Sequence, residues 1–87
     1  MSKIGGELEQ LTGLKSTFAN QSGNVSELTA NIRAQLGNTH WEGPAAERFR
    51  SSWGSEFEPV LRNLRSSLEE CGVEVARRAD AAEAAGG

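Results

Sequence analysis

The chain has no tyrosine, and its 87 residues include one cysteine, one histidine, one methionine and two prolines. A single thiol, Cys71, finds no partner within the chain, so a disulfide-stapled mini-protein is excluded. A single imidazole, His40, makes neither a metal site nor a catalytic triad and reads as a solvated loop residue. No apolar run is longer than two or three residues, so neither a membrane-spanning helix nor a signal-peptide core is expected. Positive charge is also scarce: 9 Lys and Arg against 12 Asp and Glu leave a net charge of -3. That balance argues against a protein that neutralises nucleic-acid phosphates. Hydrophobic residues make up only 37% of the chain. A chain so short and so lean in apolar mass is expected to reach stability through oligomerisation.

What the sequence does have is periodicity. Ile4, Leu11, Phe18, Val25 and Ile32 recur every seven residues, with Leu14 and Leu28 three residues after members of that row and Leu8 and Leu36 four after. A sustained seven-residue repeat predicts a helix that packs with slight left-handed supercoiling. Gly13 and Gly23 each weaken such a helix by about 1 kcal/mol relative to alanine. A second row, Leu14, Gln21, Leu28 and Gln35, carries polar residues near the seam, a pattern able to specify register or partner.

The second periodic segment opens at Pro44, suited to a first helical position, with Glu47 complementing the helix dipole. Its rows are Phe57, Leu64, Cys71 and, separately, Leu61, Leu68, Val75, Ala82, extended toward the turn by Phe49, Trp53 and Val60. Both stripes are broader than one neighbouring helix requires, which predicts packing against a second hairpin. Pro59 predicts a bend or a broken hydrogen bond near Ser55 to Pro59 within one continuous helix. Trp53 and Cys71 are expected in the core, Cys71 as a small buried apolar residue. Glu58 with Arg62 and Glu74 with Arg78 are expected to pair along the helix surface.

The fold expected is all-α: helix 1 over about 4–36, a turn at 37–43, helix 2 over about 44–78, and a frayed tail at 79–87. Gly37 is placed as a left-handed helix cap and Gly43 as the residue permitting tight reversal. The short connection makes the two helices an antiparallel helix-turn-helix hairpin, and two hairpins a four-helix bundle. Its core is assigned to Leu11, Leu14, Phe18, Val25, Leu28, Ile32, Phe49, Trp53, Phe57, Val60, Leu61, Leu64 and Leu68. Arg48 and Arg50 around Phe49, diluted by Glu42 and Glu47, read as a solvated helix start. Nothing in the sequence supplies a phosphate-binding loop, a nucleophile with its base or a metal-ligand spacing, so no enzyme, cofactor or metal is expected.

Two heptad helices in under 100 residues, with Trp41-Glu42-Gly43 at the turn between them, resemble the WXG family of small helical-hairpin proteins, related to the early secreted antigenic target of mycobacteria. The resemblance covers nearly the whole chain, and Gly43-Pro44-Ala45-Ala46-Glu47-Arg48-Phe49-Arg50 with Trp53 is similar to the second-helix entry of actinobacterial members. It implies a substrate or co-secreted partner of a type VII secretion system, made in the bacterial cytoplasm and exported without a signal peptide. The implied partners are a second copy, another WXG protein or the helical N-terminus of a larger effector, and the secretion ATPase, directly or through that partner. The family's Tyr-x-x-x-Asp/Glu export signal is degenerate here. The nearest match runs from Ala76 to Asp80, with alanine where the aromatic belongs, which implies that a partner carries the full signal. The competing expectation is a helical adaptor or self-assembling protein that stays in the cytosol.

Overall fold

The computed structural model describes residues 3–86, with side chains from residue 6 to residue 85, and is helical nearly throughout. Helix α1 spans Lys3–Asn38 and α2 spans Pro44–Ser52; a π-helical turn at Trp53–Phe57 leads into α3, Glu58–Gly86. No strand occurs among the described residues. Helices α1 and α3 pack against each other along their lengths as an antiparallel hairpin whose Cα trace measures 64 × 18 × 12 Å.

The seven-residue rows explain the seam. Leu8, Leu11, Phe18, Val25, Thr29 and Leu36 of α1 turn inward against Leu61, Leu68, Val75, Ala79 and Ala82 of α3. Val25 and Ala79 are buried, as is Ser22, whose Oγ donates to Glu69 Oε1 at 3.2 Å. The helices come close where Gly72 meets Phe18: a Cβ added at Gly72 would stand 3.5 Å from the Phe18 Cβ. Ile4, the first member of the heptad row, lies outside the described side chains.

Two local expectations change. Gly37 is not a left-handed cap: α1 runs on through it to Asn38, and the only positive φ among the described residues belongs to Gly43. The end of α1 is closed by side chains instead. The Thr39 hydroxyl donates to the Gln35 carbonyl at 2.6 Å, and Arg50 reaches the Leu36 carbonyl at 3.4 Å. These bonds satisfy carbonyls that a helix end leaves without intrahelical partners. The segment 79–85, expected to fray, is helical and contributes Ala79 and Ala82 to the seam. Alanine is the strongest helix former, and that propensity outweighs the segment's small apolar mass.

The bend expected near Pro59 is realised as the π-turn. A proline inside an α-helix lacks its N–H and crowds the carbonyl four residues back. Widening the turn relieves both problems. The Glu58 N–H returns to the Trp53 carbonyl, five residues back, and Pro59 falls in the opening turn of α3, where its missing N–H is no loss. The Ser55 hydroxyl donates to the Ser51 carbonyl at 2.8 Å, supplying an acceptor with a partner where the regular ladder is interrupted. The widened turn holds one residue more than an α turn, so α2 and α3 stay in phase as though that residue were absent.

Candidate functional site

The turn is built around Gly43, whose φ of +107° and ψ of 174° no side-chain-bearing residue adopts easily. Its extended ψ suits the following Pro44, and its carbonyl accepts the Glu47 N–H at 3.0 Å to start α2. Ala46, completely buried, fixes that first turn against the hairpin. Arg50 then clamps the loop: one guanidinium nitrogen donates to the Trp41 carbonyl at 2.8 Å, the other to the carbonyls of Thr39 at 3.0 Å and Leu36 at 3.4 Å. Arg50 is therefore a structural clasp and not the solvated residue that its basic neighbourhood suggested.

Trp41 packs beside Phe49, ring centroids 5.9 Å apart and planes inclined by 49°. It remains 41% exposed. With Ala45, Phe49, Ser52 and Phe57 it lines a shallow apolar groove at the turn end of the molecule, edged by Arg48 and Glu56. Glu42 is exposed beside it. Trp53 turns inward instead, half-buried, with its ring 6.3 Å from Phe57.

The residues assigned to a common core divide into two sets. Leu11, Phe18, Val25, Trp53, Leu61 and Leu68 belong to the interior of the hairpin. Leu14, Leu28, Ile32, Phe49, Phe57, Val60 and Leu64 are 40% or more exposed. Cys71 is exposed as well, which corrects its placement in the core: it shares the outward row of Phe57 and Leu64.

These outward residues form one face. An α-helix turns by about 100° per residue, which sets Leu14, Gln21, Leu28 and Ile32 within about 40° of one another, roughly 60° to one side of the buried stripe of α1. Val60, Leu64 and Cys71 are displaced in the same rotational sense from the stripe of α3. Rows displaced alike on antiparallel helices emerge on the same side of a hairpin.

The other side is cross-linked by polar bonds, and it carries one apolar patch where Val73, 55% exposed, lies near Ala19, Gly72 and Ala76. Arg33 makes a bidentate pair with Glu58, Nη2 to Oε1 at 2.5 Å and Nε to Oε2 at 3.2 Å. Arg65 Nη1 donates to Ser26 Oγ at 3.2 Å, and Ser22 meets Glu69. The Arg33 hydrogen bond holds the Glu58 carboxyl below the usual carboxylate range against the opposing effect of desolvation. The charge of Arg33, the nearby Trp53 indole and the charge of Arg62 lower it further. The indole Nε1 itself is buried without reaching hydrogen-bond geometry. Reciprocally, that hydrogen bond and the carboxylate charge raise the Arg33 guanidinium. Glu58 thus spends its charge across the hairpin and not on an ion pair with Arg62, whereas Glu74 meets Arg78 at 3.0 Å as the spacing predicts.

Ala76 and Asp80, the positions that the resemblance compares with an export signal, lie within α3, Ala76 half-buried and Asp80 exposed. Among the described residues no group of three or more His, Cys, Asp or Glu side chains is disposed to hold a metal ion, and no helix is long and apolar enough to cross a membrane. Comparisons with models of protein families, with curated proteins and with solved structures return no match. The surface best suited to recognition is the uncovered apolar face and the aromatic groove at its turn end.

Proposed function

We propose that the chain is a subunit of a four-helix bundle that serves type VII secretion, as an exported substrate or as the co-secreted partner of one. The observation that carries this reading is the turn: Trp41-Glu42-Gly43 sits at the tip of a hairpin, with Trp41 held half-exposed beside Phe49 at the turn end of a largely apolar face. A large exposed apolar surface rimmed by polar residues marks an interaction site. Pairing with a second hairpin, whether a copy, another WXG protein or the helical start of a larger effector, buries that face and completes the bundle. The secretion ATPase is engaged directly or through the partner; Asp80 without an aromatic four residues before it favours the partner.

The test is expression in a type VII-competent host. Appearance of the protein in the culture supernatant, abolished when the secretion ATPase is deleted, is the expected outcome. Retention in the cytosol under conditions that export sister proteins overturns export and leaves a cytosolic adaptor. Expression without any partner gene then separates the two export routes, because autonomous export removes the need for a borrowed signal.

A further inference from the structure

A cleft on the cross-linked side of the hairpin gathers arginines from both helices. Arg33 of α1 and Arg62 and Arg65 of α3 line it with Ser26 and Glu58, over an apolar floor that includes Val25. No spacing within one helix brings these three cations together; the antiparallel register of the hairpin does. The cleft encloses about 180 Å³. That is far above the ~10–15 Å³ that admits a single water and below the ~300 Å³ at which pockets for drug-sized ligands begin. It suits a small polyatomic ligand.

The guanidinium groups are unequally engaged. Arg33 is committed, since both of its bonds run to Glu58, at 2.5 and 3.2 Å. Arg65 gives one of its N–H donors to Ser26 Oγ at 3.2 Å. Its Nε is buried without an acceptor, with Glu69 standing 3.6 Å away outside the lining. Arg62 makes no ion pair among the described residues. Its charge is felt at Glu58, yet that carboxylate is taken by Arg33. Three guanidinium groups against the one carboxylate of the lining leave a surplus of two positive charges, in a chain whose net charge is -3.

We propose that this cleft binds a phosphate-class oxyanion, held by Arg62, Arg65 and the Ser26 hydroxyl beside the Arg33–Glu58 pair. Charge and donor chemistry both select that class. A phosphate group carries roughly -1.5 to -2 charges at neutral pH on strong acceptor oxygens, which matches the surplus, whereas a carboxylate supplies one charge. Ser26 Oγ accepts from Arg65 and so keeps its own proton to donate. The apolar floor lowers the local dielectric and strengthens the attraction. Arg33 and Arg62 are exposed, so binding weakens as salt rises. The cleft lies away from the outward apolar face, so the site serves a single hairpin and a bundle alike, and the export reading neither supports it nor falls with it.

The test is a titration of the whole isotope-labelled chain with sodium phosphate, at an ionic strength held constant with sodium chloride. Nuclear magnetic resonance of the arginine Nε–Hε groups and of the Ser26 and Thr29 amides is expected to show saturable shifts, reversed by sulfate competition. Arg62→Gln should weaken binding about tenfold, the loss of one charged donor, and leave far-UV circular dichroism unchanged because no ion pair is broken. Arg77→Gln, on the same helix but paired with Glu74 away from the cleft, should leave affinity within about twofold. Shifts that grow without saturating, that saturate elsewhere on the chain, or that respond equally to both substitutions overturn the proposal. Glycerol phosphate in place of inorganic phosphate then identifies the source. Tighter Arg62-dependent binding of the ester assigns the end group of a larger molecule, tighter binding of the inorganic ion assigns a free anion, and either supports the site.

Discussion

Arg50 donates to the carbonyl oxygen of Trp41 at 2.8 Å, so a side chain in the second turn of α2 holds the backbone of the residue that marks the loop. The same guanidinium reaches Thr39 and Leu36, which ties the end of α1 to the start of the second arm. Arg50→Ala is therefore expected to destabilise the hairpin by roughly 1–3 kcal/mol, as charged hydrogen-bond donors do when removed. Arg50→Lys should recover only part of that, because an ammonium cannot reproduce the fork. Urea unfolding followed by far-UV circular dichroism measures both.

Gly43 at φ +107° makes a second, independent demand on the turn. A Cβ there meets no neighbour within 4 Å, so the penalty of Gly43→Ala is conformational and not steric crowding from elsewhere. About 1–3 kcal/mol of backbone strain is expected. A melting temperature unchanged within a degree would show that the loop relaxes freely and that the glycine is not required for the fold.

Trp41 allows stability to be separated from recognition. Truncating a fully buried indole costs about 3–5 kcal/mol. At 41% exposure, with Phe49 as its aromatic neighbour, Trp41→Ala should cost only roughly 1–2 kcal/mol. If the turn is read by the secretion machinery, export of this variant falls far more than its folded fraction does. Parallel loss of export and of helicity would instead assign Trp41 a purely structural part.

The period of the helices and the position of the turn were legible in the sequence because seven-residue rows and a Gly-Pro step are local signals. Which apolar row turns inward was not. On α3, Leu61-Leu68-Val75 and Phe57-Leu64-Cys71 are similarly apolar, and the choice follows from the polar bonds Arg33 to Glu58, Ser26 to Arg65 and Ser22 to Glu69 across one side of the seam. Those bonds join residues 25 to 47 positions apart, and no spacing rule within one helix reveals them. Arg50 was hidden for a similar reason: its role lies in carbonyls of the preceding helix and loop, while its immediate neighbours suggested an ordinary basic surface.

The Arg33 and Glu58 pair gives a pH signature of known sign. The folded state holds the Glu58 carboxyl below its unfolded value, so the stabilisation is present above the unfolded carboxylate range and is lost as pH falls through the lowered folded value. Arg33 is raised, so its contribution is lost only as pH rises past the guanidinium range, beyond ordinary working conditions. Wild type and Glu58→Gln should therefore differ in stability at neutral pH and converge in acid. With Arg33→Gln in place, the same Glu58→Gln change should lose most of its pH dependence. A stability difference that persists unchanged at pH 2 would place the role of Glu58 in packing and not in its charge.

The two apolar rows of α3 make the sharpest contrast. Leu64 is 46% exposed on the outward face, whereas Leu61, three residues earlier, packs toward α1. Leu64→Glu changes a side chain nearly half exposed and should leave the secondary structure of the single chain intact, yet it places a carboxylate in the proposed seam between two hairpins. Its expected effect is loss of pairing at micromolar concentration with retained helicity. Leu61→Ala acts in the opposite order: it opens space inside the hairpin and lowers its stability by about 1–3 kcal/mol, with pairing weakened only as a consequence. Sedimentation and thermal unfolding on both variants distinguish these cases. If Leu64→Glu still pairs and Leu61→Ala alone does not, the outward row is not the seam.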